Sequence, residues 1–407
     1  MRDQGDPRRR RRVLVLDGHS KAAAQVVLAL SRACAVDVAA TDPQCLSFAS
    51  RRIVQRLQQP ESAEALRAWL AVRDRENYYD LIVPSTEHSL VPLKSQELQP
   101  HLRAKLVIPD ESSIDVALDK HESSAVARRL GIKVPGSTLV RALHELPEQP
   151  TYPLAVKPIH SKVLVEGTLR TLTVRICATS AERIQAYRQL LQHGAVVEQE
   201  YFRGRGFGVE ALFEHGTPRW LFAHERVHEF PLTGGGSTYR RAVEAPEAII
   251  AASVLLLRHL RWHGVAMVEF KVADDGDYRL MEINPRLWGS LPLAVAAGVN
   301  FPLGLLQIAC GERLDPQPCY RRGFYMRDVT ADLRWFMHAG RARWQGRGLS
   351  VKSITAGDFA GLLRPLWGQE RWDLFRWREP ELWIALSRRS LERSWTGLHK
   401  LVRRPAS

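Results

Sequence analysis

Residues 280–290 read LMEINPRLWGS. Glu282, Asn284 and Arg286 fall two apart, with apolar Met281 and Ile283 between them, so a strand would send all three polar side chains to one face. Just upstream, VEFKVADDGDY (268–278) contains Asp275-Gly276, a strong signal for a two-residue hairpin turn. With the turn at that pair, Asp274 opposes Asp277, Phe270 faces Met281, Glu269 faces Glu282 and Val268 faces Ile283. One side of the hairpin is then apolar core. The other presents two facing carboxylates with Asn284 one step along.

Like charges directly opposite on a sheet are destabilising, and a bound divalent cation would reverse the sign. The ligands on offer are all oxygens, which suits Mg²⁺ or Mn²⁺ and argues against zinc. Mg²⁺ usually takes one or two protein carboxylates and completes its shell with phosphate oxygens and water. The pattern therefore points to a metal-nucleotide site, with Arg286 beyond it, placed for phosphate. The competing reading is an ordinary solvent-exposed hairpin face.

Working outward, VLVLD (13–17), AVDVAATD (35–42), YDLIVPSTE (79–87) and AKLVIP (104–109) read as strands separated by helical patterns. That alternation predicts a parallel sheet covered by helices, a Rossmann-like domain over 13–110. Its first turn holds only Gly18, so the three-glycine dinucleotide fingerprint is absent. One helix is expected from Asp110–Ser113 to about Arg129. YPLAVKPIHS (152–161) reads as a buried strand bearing Lys157, AERIQAYRQLL (181–191) as an amphipathic helix, and AVVEQEYFRGRGFGVEALF (195–213) as a strand, a bend and a strand.

VEFKV…YRLMEINPRLWGS resembles the metal-binding end of the ATP-grasp superfamily, which includes D-alanine–D-alanine ligase, biotin carboxylase and carbamoyl phosphate synthetase. The resemblance extends over about residues 110–311. It implies that Glu269, Glu282 and Asn284 bind one or two Mg²⁺ ions and that Arg286 steadies the transferred phosphoryl group. LDKHESSAVARRLGIKVPGS resembles the family's entry helix, and LAVKP its second lysine strand, which implies that Lys120 and Lys157 reach ATP phosphates. VVEQEYFRG resembles the adenine hinge, with Glu200 offering its carbonyl and Phe202 its N–H. Relatives often carry an acidic ribose ligand where this chain has Gly206; Glu210 is the nearest acid, and the ribose contact stays open. The phosphate-covering loop, glycine-rich in many relatives, corresponds to IHSKVLVEGTLRT with Gly167 alone; His160, Ser161 and Lys162 are alternative donors. In HERVHEFPLTGGGST (224–238), Arg226 is the candidate basic residue facing phosphate or substrate. Gly234–Gly236 and Ser237 could offer backbone N–H groups to an anion.

The composition is ordinary for a globular chain of 407 residues, 45% hydrophobic and 25% charged. The run RRRRRVLVL (8–16) reads as a basic tail and first strand and not as a signal peptide, because Asp17, His19 and Lys21 interrupt the apolar stretch. Five cysteines without metal-ligand spacing fit isolated buried thiols in a reduced, cytoplasmic setting. The net charge of +14 sits at the ends: residues 1–12 carry six Arg against two Asp, and 320–407 carry eighteen Lys and Arg against eight acids. Seven of the eleven Trp also lie in 320–407. This basic, Trp-rich extension suits the surface of an anionic membrane or packing onto the ATP-binding core; nucleic acid is disfavoured because no recognised module is present.

The expected architecture is a basic tail (1–12), a Rossmann-like domain (13–110), an ATP-grasp domain (111–319, hinge near 199–202) and the extension (320–407). The expected activity is that of an ADP-forming ligase joining small-molecule carboxylate and amine (or similar nucleophile) substrates, using ATP and Mg²⁺ or Mn²⁺. The alternative is a non-catalytic nucleotide sensor or membrane-associated scaffold with the same fold.

Overall fold

The computed structural model describes residues 10–95, 98–165, 168–232, 234–344 and 354–402. Gly167 and the first nine residues of the basic tail lie outside these, as do the side chains of Trp344 and Trp395. The chain forms two compact units.

The first unit comprises Met1–Val107, Val227–Ala242 and Leu287–Ser407. Its N-terminal part is a parallel sheet in the order Arg56–Gln58, Ala35–Ala40, Arg12–Val15, Leu81–Val83. The three Val/Leu/Ala-rich strands Ala35–Ala40, Arg12–Val15 and Leu81–Val83 are almost wholly buried, as expected for a parallel sheet covered by helices, while the edge strand Arg56–Gln58 buries only Leu57. AKLVIP is not a strand; residues 105–109 touch the sheet through one bond, from Ile82 N–H to the Lys105 carbonyl. At the first turn a Cβ on Gly18 would stand 2.7 Å from Val38 Cγ1, so close approach of backbone to sheet requires glycine. Ser20 then caps the helix Lys21–Leu30, accepting from Ala23 N–H.

Asp17 ends that first strand, fully buried. Its carboxylate accepts from Thr86 N–H and Oγ1, Ser89 Oγ and Gln59 Nε2. Burial alone would raise its pKa, but hydrogen bonds from His88, Ser89, Gln59 and Thr86 hold it down to about 2. A depressed carboxyl contributes stability above its unfolded value and loses it as pH falls through the folded one. Wild type should therefore lose about 2 kcal/mol relative to Asp17→Asn between pH 5 and pH 2. Urea unfolding of both proteins across that range measures it; a constant gap would contradict the assignment.

The C-terminal extension is built into this unit. Leu374 and Leu382 share a buried cluster with Ala24, Leu28 and Leu46, and Lys21 Nζ lies 2.7 Å from Asp328 and 2.6 Å from Asp373. The strands Gly236–Ala242, Tyr325–Arg327 and Glu370–Trp372 pair in that order. Trp335 is buried and stacks on His228 at 3.6 Å between ring centres. Of the cysteines, Cys34, Cys45 and Cys177 are buried, but Cys310 is partly exposed and Cys319 exposed, so the expectation of buried thiols holds for three of five.

The second unit comprises Ile108–Arg226 and Val243–Arg286. A small antiparallel sheet runs Ser137–Val140, Val196–Glu200, Leu154–Pro158, Arg175–Cys177, backed by the helix Ser180–Leu190. A larger one runs Tyr278–Asn284, Gly264–Val272, Arg205–Glu214 and then the strand that begins at Thr217. Its apolar face (Phe207, Val209, Ala211, Val268, Phe270, Leu280, Ile283) packs on the helix Glu247–His259 and on Trp262. The single helix expected over 110–129 is two, Glu111–Leu118 and Lys120–Arg129. The break comes at Asp119, whose extended backbone lets its side chain cap His121 and Glu122 N–H, competing with helix continuation.

Candidate active site

The hairpin places the two carboxylates opposite each other: Glu269 pairs with Glu282, and Val268 with Ile283. The turn is longer than expected. Ala273 N–H donates to the Asp277 carbonyl, leaving Asp274–Gly276 as a three-residue loop with Gly276 at φ 86°, the turn-plus-glycine form of hairpin. By itself this would shift the register by one. A bulge between Glu269 and Phe270 shifts it back, so Phe270 pairs with Leu280 and not with Met281, which becomes the extra, half-buried residue. The bulge thus keeps both Glu282 and Ile283 on their required faces.

On the polar face, Asn284 Nδ2 donates to Glu269 Oε1 (3.0 Å) and Glu282 Oε1 (3.3 Å). Arg226 Nη2 lies 2.5 Å from Glu269 Oε2. Arg226, assigned from the resemblance as a basic residue near phosphate, thus sits on one of the metal-ligand candidates. Lys157 is buried on the middle of the small sheet, opposite Val197. Burial lowers its pKa to about 8; Lys120 and Lys271 push the same way, while Glu282 and Glu269 oppose them. Those couplings gather three lysines and two carboxylates into one electrostatic neighbourhood. Lys120, the first residue of its helix, donates from Nζ to Ser161 Oγ at 2.6 Å.

Three contributions went unread in the sequence. Lys271 lies two residues past Glu269 on the same strand face, a spacing visible in VEFKV. Glu210 and His224 form a buried pair, with Nδ1 to Oε1 at 3.0 Å. Glu210, the nearest acid to the open ribose position, is thereby committed to His224. Gly208 pairs with His224 on one side and Glu269 on the other. A Cβ there would fall 2.3 Å from His224 Cε1, so glycine makes the room that the imidazole fills. His224, Gly208, Glu269 and Glu282 make one row across four strands.

The hinge candidates lie at the end of the Val196–Glu200 strand. Glu200 N–H donates to the Gly136 carbonyl and its carboxylate accepts from Gly136 N–H at 3.2 Å. The Arg279 guanidinium stands 4.6 Å over the Phe202 ring. His160 Nδ1 is 3.4 Å from the Leu118 carbonyl. Arg286, half-buried, is the last residue of the second unit. Gly234–Gly236 and Ser237 belong to the first unit, where Ser237 Oγ donates to the Tyr239 carbonyl.

Two carboxylates and an amide oxygen on one face fit a hard divalent cation. Among the described residues, no cluster of three or more His, Cys, Asp or Glu offers another metal site.

Residues 194–331 match the family model described as ATP-grasp in the biosynthetic pathway with Ter operon. Among curated proteins, a phosphoribosylamine–glycine ligase from Synechocystis is 28% identical over 169 residues, 37% of this chain and 40% of that protein. The match therefore spans well under half of the relative. Among solved structures, an L-amino acid ligase from Bacillus licheniformis superposes with a TM-score of 0.59 at 16% identity, covering 78% of this chain and 79% of that one. N5-carboxyaminoimidazole synthetase from Staphylococcus aureus complexed with ADP gives 0.59 at 14% identity, covering 76% and 80%. The biotin carboxylase domain of Hydrogenobacter thermophilus 2-oxoglutarate carboxylase, in complex with MgADP, also gives 0.59 at 14%, covering 78% and 74%. The chain has the ATP-grasp fold, and about a third of it matches an ATP-grasp family model.

The low pKa of Lys157 has a kinetic consequence. Charged below about pH 8 and neutral above it, it should attract phosphate only in its charged form. In the free enzyme, kcat/KM for ATP should fall as pH rises through 8, while Lys157→Arg should keep a flat profile to higher pH. Identical profiles for the two proteins would exclude Lys157 from phosphate binding.

Proposed function

We propose that this chain is an ATP-dependent, ADP-forming ligase that activates a small-molecule carboxylate as an acyl phosphate for attack by an amine or similar nucleophile. One observation carries the reading: Glu269 and Glu282 are held face to face, bridged by Asn284, within the electrostatic reach of Lys157 and Lys120. Opposed carboxylates are destabilising, and a divalent cation would turn the pairing to use.

In this reading Glu269, Glu282 and Asn284 hold Mg²⁺, with Mn²⁺ as a substitute. The cation neutralises charge on the ATP phosphates during transfer. Lys120 and Lys157 position the phosphates, and Glu200 and Phe202 receive the adenine. Arg226 and Arg286 stabilise the charge that develops as the γ-phosphoryl group passes to the substrate carboxylate. The amine then displaces phosphate from the acyl carbon, giving the amide, ADP and phosphate. With a cation held by Glu269, Arg226 would be released from that carboxylate and could face the transferring group.

The setting in this reading is cytoplasmic, with peripheral contact to an anionic membrane surface through the extension, taken up below. A non-catalytic sensor is the second reading, favoured only if Mg²⁺-ATP binds without turnover. The test is ADP release across a panel of carboxylic acids and amines. Turnover that needs both an acid and an amine supports the ligase; ATP binding with no turnover across a broad panel supports the sensor.

A further inference from the structure

Sixteen large apolar side chains are exposed among the described residues, and ten of them lie between Leu333 and Leu391. Their densest group is in residues 354–380. Phe359, Leu362, Leu363, Leu366, Trp367 and Trp377 all face water, Leu366 at 78%, Trp367 at 64% and Trp377 at 89% exposure. Four of them fall on one short 3-10 helix, Gly361–Trp367. Isolated exposed leucines need no explanation, but a contiguous apolar group does.

The charges of the same segment are sorted. By sequence it is balanced, with Arg364, Arg371, Arg376 and Arg378 against Asp358, Glu370, Asp373 and Glu379. All four carboxylates are paired inward. Asp358 accepts from His228 Nε2 at 3.0 Å, and Glu370 from Arg327 Nε at 2.8 Å. Asp373 binds Lys21 and Arg240, and Glu379 accepts from Arg52 Nε at 2.5 Å. Arg371 and Arg378 are exposed. The outer surface of the segment is therefore apolar and cationic, with no exposed carboxylate.

We infer that residues 359–378 form a peripheral docking surface for an anionic lipid bilayer, with Leu366 and Trp367 entering the acyl boundary and Arg371 and Arg378 meeting lipid phosphates. Trp and Leu beside Arg match the layered polarity of a bilayer interface, where indole sits at the headgroup level and aliphatic side chains below it. Two features select this occupant. Leu362, Leu363 and Leu366 offer nothing to a nucleic-acid backbone, and a symmetric contact with a second copy would bring the same surface, which has no exposed carboxylate, to meet Arg371 and Arg378. No single described helix is long and apolar enough to cross a membrane, and the contact is proposed as a peripheral one. The His228–Asp358 bond fixes the start of the segment, so the apolar turn is presented on a rigid support. The inference does not depend on the ligase reading.

Deleting 320–407 would not be a clean test, because Asp328, Asp373, Leu374 and Leu382 are part of the first unit's packing. The experiment is flotation of the full chain with vesicles of phosphatidylcholine alone or with about one third phosphatidylglycerol. Binding to the anionic vesicles, and at least about tenfold less to neutral ones, is expected. Leu366→Ser with Trp367→Ser should weaken binding at least about tenfold, and Arg371→Glu with Arg378→Glu should do the same on anionic vesicles only. Both double variants should keep the melting temperature of the parent. No vesicle binding, binding indifferent to either pair, or wild-type self-association that Leu366→Ser with Trp367→Ser abolishes would overturn the inference.

Discussion

Glu282→Gln is expected to lower kcat by about 10³-fold at saturating Mg²⁺-ATP, because in the proposed function it removes a charge that would hold the cation on the transferring phosphates. The folded state should not suffer. Without Mg²⁺, Glu282 faces Glu269 across the hairpin with Asn284 as its bridge, and neutralising one of two opposed carboxylates relieves repulsion by up to about 1 kcal/mol. The variant should thus be at least as stable as the parent in EDTA. In Mg²⁺ the parent alone should gain stability, by linkage of folding to binding. Denaturation of both proteins with and without Mg²⁺, beside turnover, checks the two halves together. A stable variant with near-normal kcat would remove Glu282 from the chemistry. An unstable one would make the pair structural.

His228→Ala is expected to cost the first unit about 3–5 kcal/mol. The ring is buried between two carboxylates, with Nδ1 2.8 Å from Asp332 Oδ1 and Nε2 3.0 Å from Asp358 Oδ1. Burial pushes the Asp358 carboxyl up, but His228 and Thr355 outweigh it and hold it below the usual range. Removing the ring leaves two buried acids short of a donor and removes the stack on Trp335. His228→Phe separates the two effects: it keeps an aromatic face for Trp335 and supplies no donor. Most of the loss should persist in His228→Phe, measured by urea unfolding. Wild-type stability in that variant would assign the interaction to stacking.

Much of the candidate catalytic face was legible because it is local. Alternation in VEF and LMEIN, joined by a turn signal, is enough to oppose Glu269 and Glu282. The same local reading misjudged the turn by one residue and missed the compensating bulge at Met281, because bulges answer to the packing of the whole sheet. The pairing of Glu210 with His224 and the space that Gly208 leaves for that ring escaped notice for a different reason. These residues meet only through the pairing of the Arg205–Glu214 strand with both neighbours, and no spacing within one strand encodes that. Lys271 was readable from its position two past Glu269. The extension shows the limit most clearly: in its stretch 354–380, four acids and four arginines are interspersed in sequence. Which of them turn inward depends on Lys21, Arg52, His228, Arg240 and Arg327, residues distant along the chain. Arg240, buried and bonded to Asp373, gives no hint of that role in STYRRAVEA.

The most direct measurement is calorimetric titration of ATP into the wild-type chain and into Glu269→Gln with Glu282→Gln, each in Mg²⁺ and in EDTA. If the opposed carboxylates hold the cation that ATP binds through, the wild type binds at least about tenfold more tightly with Mg²⁺ than in EDTA, and the double variant binds with the same weak affinity in both. Equal wild-type affinity with and without Mg²⁺, or full Mg²⁺ dependence in the double variant, would contradict it.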